Sequence, residues 1–177
     1  MIELKNLSIA DLLNCHSLVL DELKSRQATR SSNNPTGDYA EFLFSRAFEW
    51  TLETNSKAGY DALNHAGDKF QIKSRRIVNG SASERRLGTM RNIEQVNFDY
   101  LAAVLFNKDY KVSRAIIIPH SCVLRLMSKQ SHVNGCFITL RDSIWNEPEA
   151  NDVTDHLKDA EKTLGIEVAN QRPEPVA

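Results

Sequence analysis

Apolar residues recur with a helical period from the start of the chain. Ile9, Leu12, Leu13, His16, Leu20 and Leu23 fall on one side of a helix over about Ile9–Arg26. Ser8 followed by Asp11 supplies its start signal. The stretch Gln27–Pro35 is polar and turn-rich and reads as a loop. Asn34 with Pro35 has the form of an N-cap followed by proline at the first helical position. A second helix runs to about Leu52, with Ala40, Leu43, Phe44, Ala47 and Phe48 as its apolar face.

The pattern then becomes strand-like. Ala58–Leu63 and Lys69–Val78 read as a hairpin closed by the turn Asn64–Asp68. Asn79–Asn92 is a polar loop with a short helix. Phe98–Phe106 and Val112–Ile118 are almost continuously apolar and are joined at Asn107–Asp109, which predicts central strands buried on both sides. Pro119 opens a helix carrying Val123, Leu124 and Met127. Cys136–Leu140 is a late strand, Asp152–Leu164 an acidic amphipathic helix, and 171–177 a flexible tail. The expectation is one domain over 1–170 of the α/β (α+β) class, a central mixed sheet with helices packed on it.

Composition narrows the class. With 41% hydrophobic and 25% charged residues, the chain is neither collagen-like, disordered nor membrane-spanning. No apolar run approaches the ~20 residues of a membrane span. Glu3, Lys5 and Asp11 make the N-terminus unlike a signal peptide. Cys15, Cys122 and Cys136 form no CxxC pair, so the expected compartment is a reducing cytoplasm.

A net charge of -1 argues against a protein that coats nucleic acid on every side. That total hides a segregation. Seven bases against Glu84 leave Lys69–Arg91 at +6, and nine acids against three bases leave Asp142–Ala177 at -6. The basic segment coincides with the residues that carry chemistry. Gly37 and Asp38 open the second helix, with Glu41 a turn later. Asp61 lies in the first strand of the hairpin, and Gln71, Lys73 and Arg75 alternate along the second. Strand period puts Phe70, Ile72 and Ser74 on one face and Gln71, Lys73 and Arg75 on the other. An Asp, an amide oxygen, a nearby Glu and a Lys make an oxygen-rich cation site beside an amine.

Glu41 on a helix, Asp61 on a strand and Gln71-x-Lys73 on the next resemble the PD-(D/E)XK phosphodiesterase superfamily. The likeness is to small bacterial restriction-endonuclease-like proteins with a helical GDxxE, then YD, then QxKxR, and it covers roughly Gly37 to Pro119. It implies a restriction-endonuclease-like αβββαβ core, Mg²⁺ with Mn²⁺ as substitute, and cleavage of nucleic-acid strands. By that match Asp61 is the central metal ligand, Glu41 completes the site and Lys73 is the catalytic lysine. The chain departs from the pattern in two places: Tyr60, not proline, precedes Asp61, and Gln71 stands where many members carry Asp or Glu. A neutral ligand holds Mg²⁺ less strongly, which shifts weight onto Glu41.

Arg75, Arg76, Arg85, Arg86 and Arg91 are the expected phosphate contacts on either side of a scissile bond. The expected function is a Mg²⁺-dependent endonuclease acting on DNA in restriction or defence. Cleaving both strands needs two sites, hence a homodimer through the first or the last helix. The alternative is a non-catalytic nucleic-acid-binding module that reuses the fold. His120-x-Cys122 and His132-x3-Cys136 lack a second pair at zinc spacing. Trp50 and Trp145 read as core or interface residues.

Overall fold

A computed structural model describes residues 3–31, 33–54, 59–130 and 135–170. Ser8 caps α1 (Ile9–Ser25): the Asp11 N–H donates to Ser8 Oγ at 3.1 Å, and the Ser8 N–H donates back to the Asp11 carboxylate at 3.3 Å. The expected apolar face is only partly used. No residue of α1 is buried, and Ile9 and Leu13 are 80% and 66% exposed. Leu20 and Leu23, half-buried, line a cavity of about 490 Å³ with Tyr39 and Tyr110. The helix therefore leans on the body through its second half.

Asn34 Oδ1 accepts from the Thr36 N–H at 3.0 Å, but Pro35 O accepts the first helical bond, from the Tyr39 N–H at 2.8 Å, so proline is the N-cap, one position before the one expected for it. α2 (Thr36–Phe48) ends before the expected Leu52. Glu49 turns left-handed, with φ 57° and ψ 36°, and the Trp50 N–H closes on Ser45 O at 3.1 Å. The Trp50 indole stacks on Phe44 and Phe70, with ring centroids 5.6 and 3.8 Å away. Burying that ring takes the next two residues out of the helix and into a strand.

The strands are β1 (Thr51–Leu52), β2 (Ala62–Leu63), β3 (Lys69–Arg76), β4 (Tyr100–Phe106), β5 (Val112–Pro119), β6 (Ser128–Gln130), β7 (Gly135–Phe137) and β8 (Asn151–Asp152). Six form one mixed sheet in the order β1-β2-β3-β4-β5-β8, antiparallel everywhere except between β3 and β4. α3 (His120–Leu126) and α4 (Thr154–Asn170) complete the helices of the described residues. Each face of the sheet has its own core. Phe70, Ile72, Val104 and Phe106 pack with Leu43 and Phe44 of α2 and Leu157 of α4. Leu101, Ala103, Leu105, Ile116 and Ile118 pack with Leu87, Met90, Cys122, Val123 and Ile138. The apolar runs of β4 and of Ala115–Ile118 in β5 follow from this double cover.

Some expectations need correction. The αβββαβ order implied by the resemblance would put an α-helix between β3 and β4. That connection holds two 3-10 turns instead, Ala82–Arg85 and Ile93–Gln95. Its sequence has no helical apolar period, and a neighbouring segment satisfies its backbone. Leu87 N–H donates to Ile138 O and Met90 N–H to Cys136 O, both at 2.8 Å. The late strand expected at Cys136–Leu140 is β7, paired with β6 in a separate ribbon, with Thr139 adding a bridge to Arg86. The strand expected at Ala58–Leu63 is two residues long, Ala62–Leu63; Ala58 and the tail at 171–177 lie outside the described residues. Among the described residues no helix is long and apolar enough to cross a membrane.

A left-handed glutamate is strained by its Cβ. Glu49→Gly should raise the free energy of unfolding by about 0.5–1 kcal/mol in urea titrations. A loss of stability would show that the side chain, not the backbone, matters at this turn.

Candidate functional site

Strand alternation builds the site. Phe70 and Ile72 of β3 enter the core at 5% and 4% exposure, which turns Gln71, Lys73 and Arg75 to the opposite face. Asp61 arrives beside them because its N–H donates to Phe70 O at 2.8 Å, just before β2 pairs Ala62 with Phe70. Its carboxylate then takes over where the β2 backbone stops. Asp61 Oδ2 accepts the Ile72 N–H at 2.7 Å and the Gln71 side-chain N–H, and lies 4.0 Å from Lys73 Nζ. A carboxylate only accepts, so Gln71 must present its amide nitrogen to Asp61 and its oxygen elsewhere. Asp61 Oδ1 and Gln71 Oε1 accept no hydrogen bond among the described residues.

Lys73 is a half-buried ammonium, its side chain 25% exposed. Nζ also donates to Ile72 O at 3.2 Å. Burial pushes its pKa below the ordinary 10.5, and the Asp61 charge opposes that shift only in part. The amine therefore gives up its proton more readily than a free lysine. The folded chain holds that proton more weakly than the unfolded one. Lys73 accordingly costs stability below its lowered pKa, and the cost fades as pH rises from there toward 10.5.

Glu41 is placed differently. Its carboxylate, 15% exposed, is paired with the guanidinium of Arg30, a residue the sequence did not single out. Arg30 Nη1 donates to Glu53 O at 2.8 Å, and the Glu53 N–H donates to Asp61 O at 2.9 Å. Asp38 anchors the same loop: its Oδ2 accepts the Arg30 and Ser31 N–H groups, each at 2.8 Å, and Ser31 Oγ at 3.0 Å. Burial raises the Asp38 pKa, but these bonds outweigh it and hold the carboxyl below its ordinary range. GDxxE is thus, in part, a clamp on Arg30. Among the described residues no hydrogen bond or ion pair joins Glu41 to Asp61, Gln71 or Lys73, and no three His, Cys, Asp or Glu side chains converge as a metal cluster.

The five expected phosphate contacts separate. Arg75 Nε donates to Arg86 O, and the Arg86 guanidinium lies 3.6 Å from the Phe137 ring centroid. Arg85 pairs with Asp142 at 2.8 Å, so one acid of the C-terminal segment neutralises part of the basic one. Arg76 bonds Lys108 O at 3.0 Å and stacks on Tyr110 at 4.3 Å, beside the cavity under α1 and on the α2 side of the sheet. Arg91 is exposed and has no partner among the described residues.

The remaining oxygens suit a hard cation that keeps most of its waters. Asp61 and Gln71 each have one oxygen that accepts nothing among the described residues, whereas Glu41 is engaged by Arg30. No family model matches the chain, and no curated protein matches it either.

Two measurements test this geometry. Asp61→Asn should lower the Lys73 pKa further, read by NMR titration of the lysine side chain; a rise would break the assigned pairing. Gly59 holds φ +80°, and a Cβ there would come 2.7 Å from Asn97 Cβ. Gly59→Ala should therefore cost about 1–2 kcal/mol of stability in urea titrations, and an unchanged midpoint would refute the close approach.

Proposed function

We propose that the chain is a divalent-cation-dependent endonuclease that hydrolyses phosphodiester bonds in DNA, on a restriction-endonuclease-like core. The observation that carries this reading is Lys73, an ammonium destabilised by burial and 4.0 Å from a carboxylate whose other oxygen accepts nothing among the described residues. Amines so placed cluster at functional sites. Further support comes from the order α2, β1, β2, β3 and then β4 parallel to β3.

Asp61 and Gln71 would hold Mg²⁺ or Mn²⁺, with Glu41 completing the set. The bound ion supplies Lewis-acid polarisation of the phosphodiester and an acidic water. Lys73 would orient that water and, as an ammonium, stabilise the charge that builds on the phosphate. Asp61 also fixes the lysine, because it accepts from the β3 backbone on which Lys73 sits. Arg75 shares the face of Lys73 and, with the exposed Arg91, provides positive charge for phosphates. Cleavage of both strands calls for a homodimer. The three cysteines are unbridged, which suits work on DNA in a reducing cytoplasm.

One observation favours a second reading. Glu41 is already held by Arg30, as it would be in a non-catalytic module that binds nucleic acid with this fold. Such a module binds DNA without metal and with a steep salt dependence.

Plasmid DNA incubated with the protein and Mg²⁺ or Mn²⁺ separates the two. Cleavage should fall by about 10²-fold or more in Asp61→Ala and in Lys73→Ala. Gln71→Glu should keep activity and shift the metal optimum. Full cleavage by both alanine variants, or salt-sensitive binding with no cleavage under any metal, overturns the enzyme reading.

A further inference from the structure

Each carboxylate of the candidate site already has a cation of its own. Lys73 lies beside Asp61, and the Arg30 guanidinium is paired with Glu41. Lys73 and Arg30 offset these two carboxylates; Asp38 lies close enough to feel the Arg30 charge, and the guanidinium on Glu41 repels a divalent cation directly.

Arg30 is firmly held at one end and loosely at the other. Its backbone N–H and that of Ser31 are locked to Asp38 at 2.8 Å. Its side chain is 44% exposed, against 15% for Glu41. The guanidinium can therefore swing toward solvent while the carboxylate stays in place. Among the described residues two hydrogen-bonding ties restrain it, the Glu41 carboxylate and Glu53 O. A phosphodiester offers the same planar fork a charged, bidentate partner.

We propose that Arg30 is a positioning residue that competes with divalent metal for Glu41 and releases it when a nucleic-acid phosphate takes the guanidinium. Metal and nucleic acid then bind with positive coupling, and the coupling is reciprocal. This rests on the nuclease reading and specifies how that site is loaded. Before DNA arrives, the site holds metal weakly. Once a phosphate engages Arg30, Glu41 joins Asp61 and Gln71 as a donor.

The test is a calorimetric titration of the full-length protein with Ca²⁺, an oxygen-seeking probe, alone and with a saturating short DNA duplex. Without DNA, Arg30→Ala and Arg30→Gln should each bind Ca²⁺ about tenfold more tightly than the wild type. Arg30→Lys, which keeps the charge, should stay near the wild type. Adding Glu41→Gln to Arg30→Ala should abolish the gain. The duplex should tighten Ca²⁺ binding in the wild type and do so less in Arg30→Ala. Equal or weaker binding by both neutral variants overturns the proposal, as does equal tightening by DNA in wild type and Arg30→Ala. If Asp61→Ala still removes Ca²⁺ binding in that event, only the role of Arg30 falls. If the wild type binds no cation with or without duplex, the metal-dependent reading falls with it.

Discussion

A strand covered on both faces leaves no room for polar side chains, and β4 imposes that constraint on everything near it. Its residues from Leu101 to Phe106 alternate between two cores, so one layer must come from helices and the other from whatever chain is left. α2 and α4 supply the first layer. The second is assembled from α3, the irregular β3–β4 connection and the segment around Ile138. β3 lies one strand further out and is covered on one face only along Phe70 and Ile72. Its other face therefore holds Gln71, Lys73 and Arg75 at the margin of a low-dielectric layer. The depressed lysine follows from that position, because its ammonium is partly desolvated while its carboxylate partner is only half-buried.

Much of this was legible in the residues. The Ser8–Asp11 cap, the 64–68 turn and the doubly buried strands all follow local rules, and the structure meets them; the second helix starts one residue later than Asn34 and Pro35 suggest. The early stop of α2 was not legible, because it depends on Trp50 finding Phe70, a contact between residues far apart in sequence. β1 and β8 were missed for a related reason: two-residue strands carry no period to read. Within the site, strand alternation placed Gln71 and Lys73 together, and the hairpin brought Asp61. Arg30 carried no signal. It sits in a polar loop among serines and asparagines, and its partners Glu41 and Glu53 come from a helix and a strand end. A motif such as GDxxE records which side chains are present, not which other chain segment they hold.

Charge segregation along the sequence is partly undone in space. Asp142 lies against Arg85 and Arg114, so the acidic end folds back onto the basic middle. Arg86 and Arg76 rest on aromatic rings. The positive charge left near Lys73 is accordingly smaller than a count along the chain suggests. Contacts with phosphate would then depend on a few well-placed groups rather than on a broad field.

The two margins of the main sheet have a consequence for how copies of this chain can meet. β1 and β8 are each two residues long, so the outermost strands carry only short rows of unpaired main-chain donors and acceptors. The longer open row lies on β3 beyond Ile72, where β2 and the Asp61 carboxylate stop covering it. At β1 and β8, continuous sheets running from one molecule to the next are discouraged by brevity, without the charged or proline-bearing border strands many sheets need. A second copy that met this chain at either of those strands would be chosen by the composition of the contact rather than by backbone geometry.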